Sequence, residues 1–154
     1  MAGASVNHNH IAGNIFAELH QHLRGKKCAP FMNDMKAHVQ SAGDDWFYYP
    51  DVMVNCEPAG QHKYYCDTPS VIVEVLSPAT EATDRREKRL AYEKIATLHT
   101  YILVAQDRRE LLIFRRKPEG GWSREMLTAA NDALRVPELE FVLPLDTIYA
   151  RTGL

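Results

Sequence analysis

The sequence predicts a mixed α/β domain with a central sheet covered by helices. Three features predict it. An amphipathic helix opens the chain, an apolar strand lies in the middle, and helical and strand periodicities alternate around that strand. A length of 154 residues suits a single domain, 1–154, with one core.

Over residues 7–24, Ile11, Ile15, Leu19 and Leu23 recur every four residues, Ala12 and Phe16 widen the stripe, and Gly25 supplies a stop. At 100° per residue His8 falls on this apolar face and His10 opposite it. Strands are expected over 35–39 and 47–55, joined by a hairpin through Ser41, Gly43, Asp44 and Asp45. After a polar connection at 57–62, Ser70-Val71-Ile72-Val73-Glu74-Val75-Leu76 is the most strand-like stretch. It is apolar on both faces, as in a central strand covered on each side. Ser77-Pro78 ends it, and a helix is expected over 80–95. Strands follow at Thr100–Ala105, 110–116 and Trp122–Leu127, then an extended piece at 139–143 and a helical turn at 145–150.

Composition excludes several classes of protein. With 45% hydrophobic and 25% charged residues the chain is not of the disordered type. No apolar run approaches the ~18 residues of a membrane span, and there is no signal-type N-terminus, so a cytoplasmic location without a membrane partner is expected. Cys28, Cys56 and Cys66 are an odd number in a chain large enough to fold without staples, so a disulfide framework is not expected. As zinc ligands with His62 they match no short Cys-x-x-Cys pair. A net charge of −2 excludes holding nucleic acid by bulk positive charge but leaves room for a local basic cleft. Arg24-Gly25-Lys26-Lys27 and Arg115-Arg116-Lys117 are the basic clusters that stand out.

Function shows where local rules fail. Glu74 shares a strand face with Ile72 and Leu76 and so points into a covered layer, where a carboxylate must neutralise, pair with a cation or bind a metal. A core salt bridge is the simpler alternative. Asp51, in Tyr49-Pro50-Asp51-Val52, opens a strand, although Asp after Pro is also ordinary turn chemistry. On the following helix Asp84, Lys88, Ala91 and Ile95 share one face; its small and apolar members mark it as inward, with Tyr92 beside Lys88. An exposed Asp–Lys pair is the simpler reading of the first two. Arg86, Glu87, Arg89, Glu93 and Lys94 read as a solvated face. Two carboxylates and a lysine suit Mg²⁺ or Mn²⁺ chemistry on a phosphodiester.

The chain resembles the Uma-two family of restriction-endonuclease-like proteins, within the PD-(D/E)XK nuclease superfamily. The matching residues are Tyr49-Pro50-Asp51-Val52, Pro69 through Glu74 to Pro78, Thr80, Asp84, Lys88, Tyr92, Ile95 and Tyr101-Ile102-Leu103-Val104. The helix bearing His8, Leu143-Pro144-Leu145 and Ile148-Tyr149 also fit. The resemblance implies a restriction-endonuclease-like fold and an Mg²⁺-dependent endonuclease acting on DNA. Asp51, Glu74 and the carbonyl of Val75 would hold the metal. The parent motif's lysine, two residues after the acidic one, is here Leu76, so Lys88 would supply the amine from the helix. Asp84 would orient Lys88, and His8 a water or phosphate, unless His8 merely satisfies the helix end. The other reading is a nuclease-fold module that binds nucleic acid, or another partner, without catalysis. Family members carry a further N-terminal segment with a strand; without it a sheet edge would lie open, and a homodimer would cover it.

Overall fold

The structure is a computed structural model that describes residues 4–78 and 81–154, with the side chains of 81–85 excepted. Helix α1 (Val6–Leu23) is capped by Ser5, whose hydroxyl accepts the His8 amide, and Gly25 follows its end at φ +75°, a left-handed position suited to glycine. Ile11, Ile15, Leu19 and Leu23 are buried, as the four-residue spacing predicts.

Six strands form the main sheet in the order β1-β4-β6-β7-β8-β9: β1 (Ala29–Met32), β4 (Val52–Asn55), β6 (Pro69–Leu76), β7 (Thr100–Ala105), β8 (Leu111–Arg116) and β9 (Trp122–Leu127). β6 and β7 pair in parallel, joined by helix α2 (Glu81–Tyr92); the remaining neighbours are antiparallel, so the sheet is mixed. A smaller sheet holds β3 (Asp44–Tyr48), β2 (Lys36–Ser41) and β5 (Tyr65–Cys66), and β10 (Ala133–Val136) pairs with β11 (Phe141–Pro144) before the short α3 (Leu145–Ile148).

β6 is buried at all eight positions, and its alternation divides the interior into two layers. Val71, Val73 and Val75 pack with Ile11, Ile15 and Leu19 of α1. Ile72 and Leu76 pack with Tyr92, Ile95, Tyr101 and Leu103 on the α2 side. Glu74 belongs to the second series, so the strand period itself carries a carboxylate under α2.

Three expectations are corrected. The strand expected over 47–55 is two strands in different sheets: Pro50 supplies no N–H to a ladder, and the chain turns there from β3 to β4. Cys28 and Cys56 form a disulfide, because the Ala29↔Asn55 pairing of β1 and β4 sets the next two residues side by side. That bond removes two of the cysteines weighed as zinc ligands, and Cys66 is free and buried. Strands β1, β5 and β10 were not predicted at all. The expected helix over 80–95 is α2, ending at Tyr92, with Thr80 outside the described residues.

Candidate active site

The site forms where β4 and β6 part. Pairing between them ends at Val52↔Val73, and Asp51 follows on the β4 side. Its side chain replaces the interrupted ladder: Oδ2 accepts the Val75 backbone N–H at 2.7 Å. A strand residue directs its N–H and C=O to the same edge, so the Val75 carbonyl faces the Asp51 side as well. On the other flank His8 of α1 brings Nε2 to 3.4 Å from Asp51 Oδ1. The hydrogen bond to Asp51 raises the His8 pKa, burial opposes it, and the negative charges of Asp51 and Glu74 add to the rise. The apolar stripe of α1 thus brings His8 against Asp51, whose charge favours the imidazolium form.

Glu74 is 6% exposed. Its Oε1 accepts the Tyr92 hydroxyl at 2.9 Å, and Lys88 Nζ stands 3.8 Å away, an ion pair rather than a tight hydrogen bond. Burial pushes the Tyr92 phenol well above its usual pKa, with the Glu74 charge adding, so it stays a donor. Lys88 and Tyr92 lie one helical turn apart, which is why both reach the same carboxylate. Tyr92 and Ala91 pack into the second core, with Ile95 just past the helix end, so this face of α2 is the inward one.

The sequence-derived residues His8, Asp51, Glu74, Val75, Lys88 and Tyr92 are therefore assembled at one place. The Asp84 side chain lies outside the described residues. Leu76, in the parent motif's lysine position, is buried in the α2-side core. Two further residues were missed. The Gln106 amide donates to the Leu76 carbonyl at 2.8 Å and its oxygen accepts the Ser5 hydroxyl, tying the start of α1 to the end of β6. Tyr48 stacks edge-on against Tyr92 at 5.4 Å. Gln106 sits in a turn and carries no sequence signal; Tyr48 lay inside a strand expectation that hid its separate sheet.

Residues 1–146 match the Uma2 family, described as "Putative restriction endonuclease". The chain belongs to that family. This Uma2 chain is 31% identical over 150 residues to "Uncharacterized protein slr1290" of Synechocystis, covering 97% of this chain and 77% of the relative. It is 32% identical over 109 residues to "Uncharacterized protein sll1609" of the same organism, covering 69% of this chain and 60% of that one. Among solved structures, a "putative nuclease belonging to DUF820 from Anabaena variabilis" superposes with TM-score 0.79 at 16% identity, over 98% of this chain and 84% of the other. At that identity the likeness shows the fold, a mixed α/β domain with a central mixed sheet, as the sequence predicted.

Asp51, Glu74 and the Val75 carbonyl offer oxygen donors, which suit a hard cation. Among the described residues no group of three or more His, Cys, Asp or Glu side chains gathers to hold a metal. A cation at this place would rest on two carboxylates, one backbone carbonyl, water and substrate oxygens, a set that fits Mg²⁺ or Mn²⁺ and not zinc. No helix among the described residues is long and apolar enough to cross a membrane.

Proposed function

We propose that this Uma2 protein is an endonuclease that hydrolyses DNA phosphodiester bonds with Mg²⁺ or Mn²⁺. One observation carries the reading: a nearly buried carboxylate, Glu74, is paired with a helix-borne Lys88 and adjoins Val75, whose backbone N–H binds the strand-end Asp51. Asp51 and Glu74, with the Val75 carbonyl, would hold the ion. When bound, such an ion makes water a stronger nucleophile and neutralises charge growing on the phosphate. Lys88, an ammonium in its ion pair with Glu74, would donate a hydrogen bond that positions the attacking water and offset charge growing on the phosphate, the water's proton leaving to solvent, while Tyr92 keeps Glu74 in one rotamer through its 2.9 Å hydrogen bond. His8, favoured as imidazolium, orients Asp51 and faces the incoming phosphate. Asp84, one turn before Lys88, is assigned the orientation of that lysine.

A second reading rests on a specific observation. Both oxygens of Asp51 already have partners, Val75 N–H and His8, as they would in a nuclease-fold module that binds nucleic acid without cutting it. A homodimer belongs to the first reading, because β1 and β9 leave the sheet with two edges. Supercoiled plasmid and a labelled RNA, each incubated with Mn²⁺ or with EDTA, test the proposal. Plasmid cleavage that requires metal is expected. No cleavage by the folded protein, or cleavage indifferent to EDTA, overturns it.

A further inference from the structure

Of the two basic clusters in the sequence, the arginines of Arg115-Arg116-Lys117 are already committed elsewhere. Arg115 Nε lies 3.6 Å from Glu125. Arg116 donates to the carbonyls of Leu98, Glu93 and Ile95 and stacks its guanidinium over Trp122 at 4.5 Å. Arg115 thus pairs with the neighbouring strand β9, and Arg116 ties the segment after α2 to the sheet. A different set of arginines is assembled from two elements far apart in sequence.

Arg86 and Arg89 on α2 and Arg124 on β9 line a cleft of about 270 Å³ floored by Leu103, Leu112 and Phe114. The register explains the meeting: Phe114 pairs with Arg124 and Leu112 with Met126, so Arg124 and Met126 stand on the same sheet face as the floor. Arg89 lies over the Phe114 ring at 5.0 Å, and its buried Nε has no hydrogen-bond partner among the described residues, with Glu93 Oε1 3.8 Å away. Arg86 and Arg124 are exposed, and among the described residues neither makes an ion pair or hydrogen bond. Among the described residues Glu93 is the acidic partner of the trio; Glu125, next to Arg124, alternates to the opposite sheet face. Met126, half exposed, extends the apolar floor. In a chain with net charge −2, three guanidinium groups around an apolar floor are a local exception that selects an anion carrying flat apolar groups.

The cleft also has a fixed relation to the candidate site. Leu103, on its floor, is the direct cross-strand partner of Glu74. Lys88 reaches Glu74 from one flank of α2, while Arg86 and Arg89 line the other. We infer that this arginine cleft binds the backbone phosphates of a nucleic acid beyond the point of cleavage, holding the strand across α2. The inference rests on the nuclease reading for its direction along the substrate, but binding is measured apart from cutting.

The test is fluorescence anisotropy of a labelled 20-nucleotide DNA, single-stranded and duplex, in EDTA so that no cleavage intervenes. Wild type, the double variant Arg86→Ala/Arg124→Ala and the control Arg135→Ala are compared over a salt series. Arg86 and Arg124 are exposed and have no ion pair or hydrogen bond among the described residues, so the fold should survive their loss; circular dichroism checks it. The double variant is expected to bind about tenfold more weakly and to lower the slope of log affinity against log salt by about 2, while Arg135→Ala matches wild type. An unchanged slope and affinity, equal loss in Arg135→Ala, or no DNA binding by wild type would overturn the inference. If wild type binds through these arginines yet never cuts, the cleft stands and the nuclease reading falls. If it cuts while the double variant binds unchanged, the reverse holds.

Discussion

The Asp51 carboxylate accepts the backbone N–H of Val75 at 2.7 Å, so a side chain continues the β4–β6 ladder just where Pro50 ends it. The residue best placed to hold a cation is thus also a structural pin. These two duties separate by substitution. Asp51→Ala leaves the Val75 N–H without its acceptor and should destabilise by about 1–3 kcal/mol. Asp51→Asn keeps an acceptor oxygen and should melt close to wild type, yet lose the stabilisation that millimolar Mn²⁺ confers on wild type. Thermal melts with and without Mn²⁺ read both effects; an equal Mn²⁺ shift in Asp51→Asn would remove Asp51 from the metal site.

Tyr92 donates to a nearly buried carboxylate from a fully buried phenol. Tyr92→Phe keeps the ring contacts with Tyr48 and Tyr101 and deletes only the hydroxyl. A loss of about 1–3 kcal/mol is expected, as for a hydrogen bond to a charged group. Denaturant midpoints measure it, and a neutral substitution would mean that the bond does not hold Glu74 in place.

His38 links the two small-sheet partners Asp67, at 2.5 Å from Nδ1, and Asp45, at 2.8 Å from Nε2. Burial disfavours the imidazolium, but the hydrogen bonds and charges of Asp67 and Asp45 outweigh it and raise the pKa above 6.5. Burial likewise opposes ionisation of Asp67, while hydrogen bonds from His38 and His62 lower its pKa below 3.8. The raised group contributes stability fully present below pH 6.5 and lost as pH climbs through its folded value. The lowered group contributes stability present above pH 3.8 and lost as pH falls through its folded value. The stability gap between wild type and His38→Phe should therefore be widest between these limits and narrower at pH 9. A gap independent of pH, in melts at pH 5.5 and 9, would contradict the pairing.

The disulfide closes a loop with 28 residues of sequence separation. Chain-entropy reasoning gives about 3–4 kcal/mol for such a loop, so dithiothreitol should lower the melting temperature of wild type and leave Cys28→Ser/Cys56→Ser unaffected. Burial pushes the Cys66 thiol up, and it should resist alkylation in the folded protein. Equal melting in both redox states would show that the bond does not form in solution.

What the sequence revealed follows from which signals are local. α1, β6 and the inward face of α2 were legible because spacing alone fixes which side chains share a face, and His8, Glu74, Lys88 and Tyr92 lie on the faces that spacing gives them. Asp51 gave only a weak turn signal; its significance came from the divergence of two strands, which is tertiary. β1 was missed because Ala29-Pro30-Phe31-Met32 is short, contains proline and lies at an edge, with no alternation to read. The Cys28–Cys56 bond depends on the register of that unseen strand. Arg86 and Arg89 read as a solvated face because their cleft is completed by β9, more than thirty residues away.

The central claim is tested most directly by nicking of supercoiled plasmid with Mn²⁺ by wild type, Glu74→Gln and Lys88→Ala, each confirmed folded. The account predicts metal-dependent nicking by wild type and a loss of at least about a hundredfold in both variants, the scale of a removed charge-stabilising group. Nicking that survives in Glu74→Gln, or folded wild type that never nicks, would contradict it.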